Sequence, residues 1–426
     1  MRPALTLKAL VSLAFAPSLA MAQAGGPAIG PEFQVNSYTT GTQNGGSVSH
    51  SAAGDFVVVW GAASGGAPHG QLFDASGTAI GGEVSLHANT VDFVTSVSVA
   101  MNGSGEFVVC WDDGVGQYDA FLRSFDSAGL PDGDEFVAHD STSGWQQEPA
   151  VAIAPDGSFV ASWTHFDNPD NHRDIWFRRF DSAGQPIGLE MQVNEFTTGS
   201  QRLSRIAIDG SGDFVVVWQG SSDQDGSGHG AFAQRYDAQG TPLGGEFQVN
   251  TYTSGDQLGL DVGMKATGEF VVAWSSYGQD GSDYGVFAQR FDAFGAKQGG
   301  EFQVNSYTTD SQAGPRVAIA DSGEFVIVWH SDQQDGSEVG LFAQQYDMEG
   351  NPVEEEFQVN SHTEDRQVGG WLSMAPNGDF VVAWTDWSGQ DGDSGGIFAQ
   401  RFAPMDVVFA DDFESGDTSN WSSSVP

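Results

Sequence analysis

Asp213-Phe214-Val215-Val216-Val217-Trp218 is apolar at every position after its aspartate. The run is too short for a core helix, and it lacks the alternation of a strand with one wet face. A strand of this kind is buried on both sides. Around it stand Arg205-Ile206-Ala207-Ile208, then Ala231-Phe232-Ala233-Gln234-Arg235-Tyr236-Asp237, then Glu246-Phe247-Gln248-Val249-Asn250. Gly210-Ser211-Gly212 and Asp237-Ala238-Gln239-Gly240 supply turns between them. The stretch therefore predicts four short strands joined by hairpins. Phe232, Gln234 and Tyr236 alternate with Ala233 and Arg235, which predicts a third strand nearer the rim and burial that falls from the inside outward.

The same unit occurs seven times. Trp60, Trp111, Trp163, Trp218, Trp274, Trp329 and Trp384 anchor the copies at intervals of 51, 52, 55, 56, 55 and 55 residues. Periods above ~40 residues belong to propeller blades rather than to the thin coils of a solenoid. A sheet stacked between two neighbouring sheets also gives the second strand its two buried faces. The expected fold is all-β, a single seven-bladed β-propeller of four-stranded antiparallel blades. Glu32-Phe33-Gln34-Val35-Asn36 precedes the first unit, and the seventh unit ends after Phe398-Ala399-Gln400-Arg401-Phe402 without a fourth strand. The orphan strand fills that place, so the N-terminal strand is expected to close the ring and remove two open edges.

Arg2, Lys8, the apolar stretch from Ala9 to Ala16 and Ala20-Met21-Ala22 have the form of a secretory signal. The expected division is a signal peptide at 1–22, the propeller at 23–405 and a short C-terminal tail at 406–426, read as a sorting or docking segment. No other stretch is long and apolar enough to suggest a membrane span. The protein is expected to be secreted or held at the cell surface, as a monomer. Cys110 is the single cysteine and lies in an apolar run, so it reads as a core residue. The formal net charge is -42, and it becomes -44 when Arg2 and Lys8 leave, with 13 basic against 57 acidic residues. Such a surface repels phosphate backbones, which excludes nucleic acid as a partner, and it attracts cations.

Two features recur on the face that carries the longer loops. Asn36 and Gln43, Asn194 and Gln201, Asn250 and Gln257, Asn305 and Gln312, and Asn360 and Gln367 each stand seven residues apart. A polar ring for a ligand is one reading; amides that hold their own loops by bonding backbone groups are the preferred one. The second feature is the acidic loop after the tryptophan in copies four to seven. Calcium takes several hard oxygen ligands, so Asp223, Asp225 and Ser227 are the first candidate ligands, with Asp280, Asp335, Asp391 and Asp393 as weaker ones. The competing reading is a solvated Asp-Gly hairpin tip.

Catalytic motifs are sparse. Gly392-Asp393-Ser394-Gly395-Gly396 matches strings found around serine nucleophiles, but neither the two β-barrels nor the strand-turn-helix that such strings need is present. The nine histidines show no zinc spacing; His165, His330 and His362 read as exposed loop residues. Asp112 with Asp113, and Asp411 with Asp412, are pairs too common in so acidic a chain to specify glycoside chemistry. Ala154-Pro155-Asp156-Gly157-Ser158-Phe159 is distantly similar to the Asp-box turn of sialidase propellers, without a recognisable arginine cluster to hold a substrate carboxylate.

The unit Gly-Asp-Phe-Val-Val-Val-Trp, Gln-Asp-Gly-Ser-Gly, Phe-Ala-Gln-Arg-Tyr-Asp, Glu-Phe-Gln-Val-Asn resembles a repeat of large exported bacterial proteins, sometimes attached to calcium-binding or adhesion modules. It covers about residues 30 to 405. In general plan it is also similar to integrin-type propellers, whose blade loops hold calcium. The resemblance implies an exported binding or adhesion scaffold, stabilised by calcium, with a glycan or protein ligand outside the cell. The alternative is a glycan-directed hydrolase or lyase on the same scaffold. The segment from Val407 to Ser422 looks like a C-terminal tail of exported proteins, or like the first strand of a jelly-roll carbohydrate-binding domain.

Overall fold

The computed structural model describes residues 28–404, apart from 63–65, 88–93, 115–117, 142 and 168–171. The expected signal peptide and tail lie outside the described residues. Among the described residues, twenty-eight strands form seven separate four-stranded sheets, each antiparallel throughout. In the fourth blade the strands are Arg202–Ile208, Phe214–Gly220, Gly230–Tyr236 and Phe247–Gln248, paired in chain order. The fold is the expected seven-bladed propeller. The one helical element among the described residues is the turn Ser222–Asp225 in a loop.

The second strand explains why the blades stack. Val215 and Val217 pack with Leu260, Phe270 and Trp274 of blade five, whereas Phe214, Val216 and Trp218 pack with Val160, Ile175 and Phe177 of blade three. Alternate side chains thus enter opposite layers, and a fully apolar strand is what two layers require. Each such Val or Phe buried from water stabilises the fold by about 1.5–3 kcal/mol. All seven anchoring tryptophans are buried in these layers. Cys110 is a free thiol in one of them, and burial pushes its pKa up so that it stays protonated.

Closure follows the same rule. The strand Phe33–Gln34 pairs with Gly396–Phe402 as the fourth strand of blade seven, with Phe33 opposite Ala399. Val35 then joins the layer between blades seven and one, beside Val48, Trp60, Val381 and Ile397.

Burial does not fall steadily outward. In blades four to seven the third strand is almost wholly buried; Gly230–Tyr236 leaves only Arg235 partly exposed. Exposure concentrates in the fourth strands and, less strongly, in the first strands, where Arg202–Ile208 is half-buried at most positions. The first strands line an open axial channel, so their inner edge meets solvent just as the rim does.

Candidate functional site in the axial channel

All seven first strands carry a bulge. The pairing with the second strand slips between Asn44 and Gly46, Val94 and Val97, Gln147 and Ala150, Arg202 and Arg205, Leu258 and Asp261, Ala313 and Arg316, and Val368 and Trp371. A bulge adds a residue to one strand and re-aims the side chains beyond it. The residue thirteen before each anchoring tryptophan lies just past the bulge and pairs with the residue before that tryptophan. Around the ring these are Ser47, Ser98, Ala150, Arg205, Asp261, Arg316 and Trp371, and all seven line one axial cavity of about 340 Å3.

This waist breaks the sevenfold symmetry. Blades one to three contribute small side chains, and blades four to seven contribute two guanidiniums, a carboxylate and an indole. Asp261 Oδ2 accepts the amide of Val317 at 2.9 Å, and Oδ1 is 3.9 Å from Arg205 Nε. The first bond is structural, since Ser47 Oγ accepts the amide of Val99 in the equivalent place at 3.3 Å. Burial pushes the Asp261 carboxyl up despite the opposing charges of Arg316 and Arg205. Arg316 is lowered to about 10, by burial first and then by the repulsion of Arg205. Trp371 is only 8% exposed and lies across Gly46, where a side chain would collide with its ring, so it seals the wall between blades seven and one.

Two residues nearer the loop-rich mouth, the bulge position takes left-handed φ in blades one and three to seven. Gly45, Gly259, Gly314 and Gly369 accommodate this freely, but blades three and four place Glu148 and Leu203 there, each at φ 56°. A side chain held in this region costs of order 1 kcal/mol or more and persists only where its surroundings enforce it. Glu148 Oε2 accepts the Thr164 hydroxyl at 2.8 Å and the Leu203 amide at 3.1 Å. The Glu148 amide in turn donates to Asp112 Oδ2 at 3.0 Å, while Asp112 Oδ1 accepts the Ser96 amide. Asp112 is wholly buried and acts as a cap; Glu148 is half-buried, one residue before Pro149 of the cavity wall. Trp145, at the mouth of the same strand, is exposed and sits edge to face with Tyr118, centroids 5.7 Å apart.

The sequence-predicted loop residues have other surroundings. Asp225, Asp280, Asp335 and Asp391 each accept, through Oδ1, the amide two residues on, at 3.1, 3.0, 3.0 and 3.1 Å. Their Oδ2 atoms turn inward over a glycine in the first two residues of the third strand; a Cβ on Gly340 would stand 2.5 Å from Asp335 Oδ2. Ser227 Oγ accepts the Gly255 amide at 3.3 Å, and Asp393 Oδ2 accepts the Gly41 amide at 2.9 Å. The Asp223 side chain lies outside the described residues. Among the described residues, no three His, Cys, Asp or Glu side chains converge as a metal group.

The amide pairs are internal staples. Asn36, Asn250, Asn305 and Asn360 donate to their Gln partners at 3.0 to 3.2 Å, and each Asn Oδ1 accepts an amide near the start of a third strand. Asn194 does the same with Ile175 but donates to Asp174 and Phe196 rather than to Gln201. Ser394 shares a hydrogen bond with Thr42. His330 belongs to a second strand, opposite Ala313 and Leu341, rather than to an exposed loop. His165 is likewise in a second strand, with Nδ1 3.0 Å from Gln146 Nε2.

No protein-family model matches this sequence, and no curated protein matches it. Solved structures do share its fold. A protein of unknown function from Dyadobacter fermentans DSM 18053 superimposes with a TM-score of 0.51 at 11% identity, over 72% of this chain and 94% of that one. A fungal alcohol oxidase of the AA5 family, in complex with copper, gives 0.52 at 11% identity, over 89% and 76%. The α-L-arabinofuranosidase of Fusarium graminearum, bound to an iminosugar inhibitor, gives 0.50 at 11% identity, over 73% and 93%. These likenesses are likenesses of fold. Neither the exported repeat nor the integrin-type calcium loops find support in them beyond the propeller itself.

Proposed function

We propose that this chain is a glycan-directed hydrolase, exported from the cell, that admits a saccharide through the loop-rich mouth of its axial channel. The observation that carries the reading is Glu148, a carboxylate held in left-handed backbone where four other blades have glycine, next in sequence to Pro149 of the cavity wall that Asp261 also lines. Glycoside hydrolysis uses two carboxyl groups in different states. Asp261, with its raised pKa, is suited to protonate the leaving oxygen. Glu148, fixed by two hydrogen bonds to Oε2, is suited to activate water. In the overall step the glycosidic C–O bond breaks, the leaving oxygen gains a proton, and water supplies the hydroxyl of the new anomeric end. Trp145 and Tyr118 offer aromatic surface at the mouth for a sugar face. Compared with a bare binding scaffold, this reading gives a role to the asymmetry of the waist.

A glycan panel followed by product analysis tests it. Glu148→Gln and Asp261→Asn should each lower turnover about 10²–10⁴-fold with the fold retained. Retention of an intact glycan with no fragments released by the wild type would make the protein a binding scaffold instead. Release of unsaturated fragments would make it a lyase.

A further inference from the structure

We propose that Arg205 and Arg316 form a subsite for the carboxylate of an acidic sugar, a uronic acid residue of the glycan that the channel admits. The inference deepens the hydrolase reading and rests on it. Its starting point is a charge count. Two guanidiniums and one carboxylate meet at the waist, which leaves one positive charge in excess inside a chain whose formal charge is -42.

Several arginines elsewhere in the ring are committed. Arg178 forks onto Asp140 with two bonds of 2.8 Å. Arg235 spends its guanidinium on the carbonyls of Ala293 and Phe294, and Arg290 and Arg401 do the same one blade further on. Arg205 and Arg316 differ. Among the described residues each makes one hydrogen bond, from Nη1 to the carbonyl of the residue before it, Ser204 or Pro315, both at 2.9 Å. The two are therefore anchored alike, two blades apart, with donors left for the cavity. A guanidinium presents five donors in a planar fork that matches a carboxylate.

The occupant is singly charged for a physical reason. With Asp261 ionised before the ligand arrives, one negative charge balances the excess at the waist; a phosphate dianion would overshoot it before any proton is taken up. The cavity of about 340 Å3 has room for a small ring, because Ser47, Ser98 and Ala150 keep the opposite wall low. Binding and chemistry are then coupled. An anion seated on Arg205 and Arg316 draws off the charge that opposes protonation of Asp261, so the acid is armed when the acidic sugar arrives.

The test uses the full-length exported protein with four probes: oligogalacturonides, their methyl esters, neutral galactan oligomers and sulfated galactan oligomers. Affinity is read by calorimetry and turnover by product analysis. Free oligogalacturonides should bind about tenfold to a hundredfold more tightly than their methyl esters, the equivalent of losing a charge-assisted hydrogen bond. In Arg205→Gln and Arg316→Gln that preference should shrink toward unity. The ester comparison needs only the wild type, so an unstable variant does not remove the test. Equal affinity for acid and ester overturns the inference, and so does a preference for the sulfated probe. Cleavage of neutral galactan with uronates ignored sinks the inference but keeps the hydrolase. Uronate binding without fragments keeps the subsite and sinks the hydrolase.

Discussion

Asn36 Oδ1 accepts the backbone amide of Ile397 at 2.8 Å, joining residues 361 positions apart. In the same way the Ala231 amide donates to Asn250 Oδ1 inside blade four, at 2.9 Å. The closing strand is therefore held by the device that holds the fourth strands of blades three to six. Asn36→Ala leaves the Ile397 amide buried without a partner and should cost about 1–3 kcal/mol. Asn250→Ala is the internal control and should cost about the same. Deleting residues 31 to 36 should cost more, since buried Val35 and the pairing of Phe33 with Ala399 go too. Thermal unfolding of the three variants checks this, and a silent Asn36→Ala would mean that the N-terminal strand does not close the ring.

Blade number, strand order and closure were legible because they rest on period and apolar run length, and the seven anchoring tryptophans among the chain's twelve display both. The same register also held the waist in plain view. Ser47, Ser98, Ala150, Arg205, Asp261, Arg316 and Trp371 each stand thirteen residues before their tryptophan, and Glu148 stands fifteen before. Comparing copies for similarity hides such a site, because it consists of the positions where the copies disagree. The arginine pair could not be recognised along the chain for another reason. Arg205 and Arg316 are two blades apart, and only a closed ring faces them into one cavity.

The expectation of outward-falling burial failed at the channel. Alternation along Phe232, Gln234 and Tyr236 reads as one wet face, yet Gln234 is buried and donates to the carbonyls of Arg235 and Gly244. A glutamine satisfied by backbone is as much a core residue as a valine, and periodicity alone does not separate the two.

Glu148→Gly separates strain from function. Glycine is what blades one, five, six and seven carry at the bulge, so the change relieves a backbone cost of order 1 kcal/mol. It also removes the carboxylate, while Thr164 Oγ1 still accepts the Leu203 amide at 3.2 Å. The expected result is a melting temperature at or above that of the wild type, together with loss of glycan turnover. Loss of stability with activity intact would reduce Glu148 to a cap between blades three and four.

Acid should weaken the fold through two buried imidazoles. Burial and the charge of Arg401 lower His50 to about 3, and burial with Arg316 and Arg366 lowers His330 to about 4. An unfolded histidine takes up its proton near 6.5, so below that pH the unfolded chain binds more protons than the folded one. Their contribution is complete above pH 6.5 and is lost as pH falls toward 4 and 3, with a ceiling of about 1.4 kcal/mol per pH unit for each. Asp261, raised in the fold, acts in the opposite sense, as does relief of the net negative charge. The informative quantity is therefore the difference between variant and wild type. Urea midpoints at several pH values from 7 to 4.5 should fall less steeply in His50→Phe than in the wild type, and parallel curves would count against a neutral, buried His50.

Calcium at the acidic loops is testable at Asp225, whose carboxyl burial pushes up. Its Oδ2 is buried, while Oδ1 holds the turn through the Ser227 amide. Calcium needs six to eight oxygens, so a site here would have to draw Asp223, Ser227 and water around that one carboxylate. Bulk screening is the confounder on so acidic a surface, because any salt relieves repulsion. Holding ionic strength constant and adding calcium at concentrations too low to change the Debye length separates the two effects. A bound ion should raise the melting temperature of the wild type and leave Asp225→Ala unmoved. Without calcium the substitution loses the turn bond and should cost about 1 kcal/mol, which fixes the baseline for the comparison. A calcium shift that survives Asp225→Ala would place the ion elsewhere. No shift in either protein would leave the four aspartates as what their bonds already make them, supports for the tips of the loops.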